Sequence, residues 1–289
     1  MHLLAADWVR FGRRVDLRIL VALLPVILAV MFVSEFNSVT TPPDLNVSSD
    51  PPDPVAEAER QAQMLADFQQ RLVIQLPAFA FPASLIKIAG NVGPTILLAI
   101  YLATALVAGE FEWGTVRTLH LTSNRGRTLA VRVGVVVGLI GLVIAVGLVF
   151  GAILPFFLSV QGTPLQGYAT PVPDLLAGIV TRLVVVLPFI AVPVLMAILA
   201  RSIGFAFLLT LLFFVADLAV TAAPFWAGSA TPWVPALTVS GSISRLLGDP
   251  GSSLASLAPP EVSFGALAVW AVVPVLAAIA RFRSLDLNE

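Results

Sequence analysis

The sequence predicts an all-α membrane protein with six transmembrane helices, and two observations carry that reading. The first is composition. Of 289 residues, 58% are hydrophobic and 11% charged, with a mean hydropathy of +0.97. A soluble domain carries about 25% charged residues. A chain with less than half that polar coat cannot cover its apolar surface in water, so its solvent is a bilayer. The second is spacing. Uncharged runs of 16 residues after Arg18, 22 after Lys87, 41 after Arg132, 18 after Arg182, 15 after Arg201 and 19 after Glu261 punctuate the chain. A spanning helix needs about 17–25 mostly apolar residues.

In chain order, residues 1–16 are expected to form an N-terminal amphipathic interfacial helix. Leu4, Trp8, Phe11 and Val15 recur at steps of 4, 3 and 4 and share one face, while Arg10, Arg13 and Arg14 occupy the rest. Residues 17–289 then make the transmembrane domain, with spans at about 17–34, 90–108, 131–155, 176–199, 203–222 and 264–281. The 41-residue gap is read as one span and a loop, because Pro155, Gly162, Pro164, Gly167, Pro171 and Pro173 break it. Prolines 25, 94, 188, 193 and 274 fall inside spans and are candidate kinks.

Six spans place both termini on one side. That side holds eleven basic residues (Arg10, Arg13, Arg14, Arg18, Arg117, Arg125, Arg127, Arg132, Arg201, Arg281 and Arg283) and the other side five. Basic residues accumulate in cytoplasmic loops, so both termini are expected in the cytoplasm, and segments 35–89 and 223–263 outside. Within 35–89, Pro-rich residues 37–53 read as loop. Residues 55–76 read as an amphipathic helix with Met64, Leu65, Phe68 and Leu72 on one side. Segment 223–263 is too rich in Pro, Gly and Ser to span, yet Trp233, Val234, Leu237, Leu246 and Leu247 suit short helices dipping in from outside.

Several functions are excluded early. Cysteine is absent, which removes disulfides, thiolate metal sites and cysteine nucleophiles. A net charge of −1 gives no case for a nucleic-acid partner. The only histidines, His2 and His120, lie outside the spans, so neither a catalytic set nor a metal site can be assembled within the membrane. This argues against a membrane-embedded hydrolase. A secondary transporter or channel is the stronger rival, although it would be expected to carry more intramembrane ion ligands.

The informative segment is the loop 109–130 between spans two and three. It reads Gly109-Glu110-Phe111-Glu112-Trp113-Gly114-Thr115-Val116-Arg117, continuing to Arg125-Gly126-Arg127. Two acids, three arginines and several bulky apolar residues in under twenty positions exceed what a turn requires, and suit a docking surface for another protein. The loop resembles that of permeases of the type-2 ABC exporter class, whose pattern Glu112, Gly114, Thr115, Arg117 and Arg127 match. The family often has a proline before the final arginine, where this chain has Ser123-Asn124. The layout of surface helix, six spans and polar outer stretch agrees along nearly the whole chain.

The resemblance implies a transport subunit, not an enzyme, in a bacterial plasma membrane. It implies a second permease subunit (identical or different) and separate ABC ATPase subunits that bind ATP and Mg. Glu110, Glu112, Trp113, Gly114, Thr115, Arg117, Arg125 and Arg127 would be coupling residues. This chain lacks the phosphate-binding Gly-Lys-Ser/Thr loop, since its only lysine, Lys87, sits in Leu85-Ile86-Lys87-Ile88. Apolar spans suggest hydrophobic or amphiphilic cargo, such as a drug, a peptide antibiotic or a lipid-like molecule. Finally, Arg182 and Asp217 are ionisable groups at matching depth in spans four and five. A lone charge there is costly, so they are expected to face each other or a shared cavity.

Overall fold

The computed structural model describes residues 15–43, 54–90, 92–112, 125–160, 163–164, 171–227, 233–247 and 259–284. The expected interfacial helix lies outside these, apart from its last two residues. Six helical stretches are long and apolar enough to cross a bilayer: Arg18–Thr40, Gly93–Glu112, Gly126–Phe157, Val172–Ala200, Ile203–Ala223 and Pro260–Ser284. The chain is therefore an all-α, multi-pass membrane protein in outline.

In order, the helices are α1 (Val15–Thr40), α2 (Pro54–Gln75), α3 (Ala83–Gly90), α4 (Val92–Glu112), α5 (Arg125–Ile153), α6 (Val172–Val186), α7 (Pro188–Ala200), α8 (Ile203–Ala227), α9 (Trp233–Leu237), α10 (Val239–Leu247) and α11 (Pro260–Ser284). A two-residue antiparallel ladder pairs β1 (Ser159–Val160) with β2 (Thr163–Pro164).

The structure moves one boundary of the sequence reading and turns one of its candidate kinks into a break. That reading ends the first span at residue 34, before Glu35, but α1 continues to Thr40. A glutamate is a good helix former, so Glu35 limits the apolar length of the span but not the helix, and its carboxylate is paired with Lys87, Nζ 2.6 Å from Oε1. The helix closes where Thr41 Oγ1 donates to the Asn37 carbonyl at 2.6 Å. The fourth span is broken into α6 and α7 at Leu187. Pro188 has no N–H to donate, and its ring excludes a continuous ladder. The Leu187 N–H reaches only three residues back, to Val184 at 3.1 Å. Proline 193, by contrast, stays inside α7, as Pro25 does in α1 and Pro274 in α11.

The chain forms two compact units. The first comprises Met1–Leu24, Val92–Val143 and Val180–Glu289. Its centre is α7, which packs on α4, α8 and α11. Phe189, Ile190, Ala191, Val192, Val194, Ala197 and Ile198 are all buried, as a helix that is apolar all round requires. Helix α4 contributes buried Ala99, Ala103, Ala105 and Ala108, small side chains that let backbones approach closely. Aromatic rings close the packing, with Phe189 against Phe214 at 4.4 Å and Phe213 against Trp270 at 5.3 Å between centroids. Phe205, Leu208, Leu212, Val215 and Leu218 of α8 are exposed at helical spacing. Such a stripe is a liability in water and an ordinary surface in lipid.

The second unit comprises Pro25–Asn91 and Ile144–Ile179. Phe79 meets Phe32 at 5.2 Å and Phe36 at 5.5 Å, and Lys87 lies over the Phe79 ring while holding Glu35. Ser84 Oγ donates to the Gly151 carbonyl at 2.6 Å. A side chain at position 151 would crowd the Ser84–Leu85 backbone, so glycine permits this approach. On α2, Gln61, Met64, Phe68 and Leu72 are half-buried, while Leu65, expected on that stripe, is 40% exposed.

Candidate functional site

One end of the first unit collects the termini of five helices, and the described part of the loop 109–130 lies there. Glu110 and Glu112 end α4. Arg125 begins α5, with Arg127 exposed on its first turn. Trp113, Gly114, Thr115 and Arg117 lie outside the described residues. Three contacts tie α4 to its neighbours at this end. Glu110 Oε1 sits 3.2 Å from Arg132 Nη2 on α5, with the two side chains only 11% and 6% exposed. The Phe111 ring meets Phe282 of α11 edge-on at 6.1 Å. Glu112 Oε1 accepts from Ser202 Oγ at 2.9 Å and from the Ile203 backbone N–H at 2.7 Å.

The last contact is an N-cap supplied by another helix. The first N–H groups of a helix lack internal acceptors, and the helix dipole favours negative charge there. The α7–α8 turn is only two residues long, and Ser202, which precedes α8, donates its hydroxyl to Glu112. Arg201 takes φ 55° and ψ 13°, and its N–H donates to the Ala197 carbonyl at 3.0 Å, which closes α7. That left-handed position is one usually filled by glycine. Ser202 and Ile203 then face Glu112. On the same end, Gly126 of α5 lies against the Arg283 guanidinium of α11, so closely that a Cβ would fall 2.8 Å from it.

Asp217 serves a second joint, further along α8. Its Oδ1 accepts from the Val239 N–H at 2.9 Å, and its Oδ2 from the Ser240 N–H at 2.7 Å. These are the first two residues of α10. Thr221, one turn on, pairs its hydroxyl with that of Thr238 at 2.7 Å, and Thr238 Oγ1 also accepts from the Gly241 N–H at 3.1 Å. Buried Asp217 is thus satisfied by backbone amides, and an ion pair with Arg182 would have to share oxygens already bound. Arg182 itself lies partly buried on α6.

Sequence reasoning singles out Glu110, Glu112 and Asp217 but does not find Arg132, Ser202, Ile203, Val239 or Ser240 as their partners. The signal for Arg132 is its position as the last charge before the 41-residue gap, inside the start of a span. Ser202 has no comparable signal, because its partner is 90 residues away.

In the second unit, a groove of about 500 Å³ runs along α1, walled by Val26, Ala29, Val30, Val33 and Phe150, with Ser34 and Asn37 at one end. No group of three His, Asp or Glu side chains among the described residues is placed to hold a metal ion. Compared with known proteins, the chain matches no family model and no curated protein.

Proposed function

We propose that this chain is the permease subunit of an ATP-driven exporter of the type-2 ABC class, and that the loop 109–130 faces the cytoplasm as its coupling element. ATP and Mg are bound by separate ATPase subunits, and a second permease subunit completes the translocation path. The observation that carries the reading is mechanical. Both carboxylates at the described start of the loop are fastened to other helices: Glu110 to α5 through Arg132, and Glu112 to the N-terminus of α8. A partner that displaced the loop would move three helices together, whereas a loop that merely joined two spans would need no such fastening. The mixed-charge, partly apolar sequence Trp113–Arg127 supplies the surface to be gripped.

The cargo is hydrophobic or amphiphilic. The apolar groove on α1, with an amide and a hydroxyl at one end, supports that class. The chain sits in the plasma membrane of a bacterium, and the excess of arginine over lysine, fifteen to one, agrees with a GC-rich genome.

The test is affinity purification of the tagged full chain from its native membrane. A nucleotide-hydrolysing subunit should co-purify, and replacing Glu112 and Arg117 together by alanine should release it. Vectorial transport by the purified chain alone in proteoliposomes, driven by an ion gradient, would overturn the proposal in favour of a secondary transporter.

A further inference from the structure

We infer that α8 is a rigid link between the loop at one end of the first unit and α10 further along, with Glu112 and Asp217 as its two positioning residues. Both joints use the same chemistry. At one, the Glu112 carboxylate holds the N-terminus of α8 through Ser202 and Ile203. At the other, the Asp217 carboxylate, carried on α8, holds the N-terminus of α10 through Val239 and Ser240. The two joints lie fourteen residues apart along one helix, about 21 Å at 1.5 Å per residue. A hydrogen-bonded helix of that length moves as a rod, and the Asp217 joint is shielded from water, which strengthens its hydrogen bonds.

Helix α8 is also suited to move. Only 17% of its spanning window is buried within the protein, against 67% for α4 and 61% for the α6–α7 stretch. Its exposed stripe Phe205, Leu208, Leu212, Val215 and Leu218 meets lipid, which offers little lateral fixation. Helix α8 packs on α7 and α4 over its inner face, and the two directional contacts fix its register along that surface. Helix α10 in turn packs on α11. A displacement at Glu112 thus has a direct hydrogen-bonded route along α8 to the 233–247 segment, beside the packing of α8 on α7. The use of this link in export rests on the permease reading above; the link itself does not.

The chain has no cysteine, so a single introduced thiol is unique. Ser244 lies exposed on α10 and takes part in neither joint. The full chain carrying Ser244→Cys, in lipid nanodiscs, is alkylated with a soluble maleimide, and the rate is compared among variants. Glu112→Ala should change the alkylation rate at position 244 about threefold or more. Glu112→Gln, which keeps an acceptor oxygen for the Ile203 N–H, should restore it to near the starting value. Should Glu112→Ala fail to fold, Ser202→Ala removes one donor from the same joint and should give a smaller change of the same sign. With Asp217→Asn as background, which weakens the second joint, the response to Glu112→Ala should shrink. An unchanged alkylation rate in both Glu112→Ala and Ser202→Ala, or an undiminished response with Asp217→Asn, overturns the link. No ATPase is needed for this measurement. A link without a co-purifying ATPase would leave this inference standing and refute the export reading, and the converse result would do the opposite.

Discussion

Glu110 and Glu112 stand two residues apart at the end of α4, yet their environments give them different energetics. Glu110 and Arg132 are almost wholly withdrawn from solvent, and each is tolerable there because of the other. Removing one partner leaves a buried charge, so Glu110→Met and Arg132→Met should each destabilise the protein by about 3–5 kcal/mol. The double substitution should cost much less than their sum, since no stranded charge remains. Denaturant or thermal unfolding in detergent checks this, and strictly additive losses would refute it. Glu112 is exposed, and its cap on α8 contributes on the scale of an ordinary N-cap, about 1 kcal/mol. Its value lies in position more than in stability. Arg201 is a third case. Its left-handed backbone costs an ordinary residue about 1–2 kcal/mol, which glycine avoids at the expense of a more flexible unfolded chain. Arg201→Gly should therefore stabilise by about 0.5 kcal/mol, while the β-branched Arg201→Val should destabilise by about 1 kcal/mol or more, both read from the same unfolding curves.

At the scale of elements, the joint between α9 and α10 is the tightest among the described residues. A Cβ on Gly241 would fall 1.9 Å from the Pro235 carbonyl oxygen, which is backbone and cannot swing away. Gly241→Ala must then separate α9 from α10 and is expected to cost about 3 kcal/mol, with hydrogen exchange over 239–247 accelerating before that of α7. What was legible in the sequence follows from the range of each force. Spans were readable because the penalty on charge in lipid acts residue by residue, so the gaps after Lys87 and Glu261 expose α4 and α11 directly. The break at Leu187 was marked locally by Pro188. The continuation of α1 past Glu35 was not, because a charge gap marks where the apolar run stops and not where the helix does, and the partner of Glu35, Lys87, is 52 residues away. The same holds for the joints. A carboxylate that caps a helix from another helix leaves no local capping pattern, so Glu112 reads as a loop charge and Asp217 as a span charge, without their true partners. Turns such as Arg201-Ser202 gave no warning either, since arginine is not the residue that a left-handed cap suggests.

For the whole molecule, the decisive quantity is sidedness. Six crossings would put the ends of α4, α7 and α11 and the starts of α5 and α8 at one membrane face, the face to which the sequence reading assigns eleven of the sixteen basic residues. Lys and Arg near spans set orientation through their preference for the cytoplasmic side, so the contacts that flank the loop should be reachable only from within the cell. The absence of cysteine makes this directly measurable. Ser49→Cys places a thiol in the Pro-rich stretch after α1, and Ser123→Cys places one in the loop after α4. In intact cells a membrane-impermeant maleimide should label the thiol at position 49 and spare the one at position 123. Permeabilisation should expose position 123 without changing position 49. The opposite pattern would place the Glu110–Arg127 segment outside, away from any nucleotide, and no ATPase could then act on it. If the expected pattern holds and an ATPase co-purifies, adding ATP should protect the thiol at 123 from the reagent in inverted vesicles, because nucleotide closes the partner around the loop. Protection lost in Trp113→Ala, while labelling at position 49 in the matching variant stays constant, would locate the contact on this segment and not in a general change of fold.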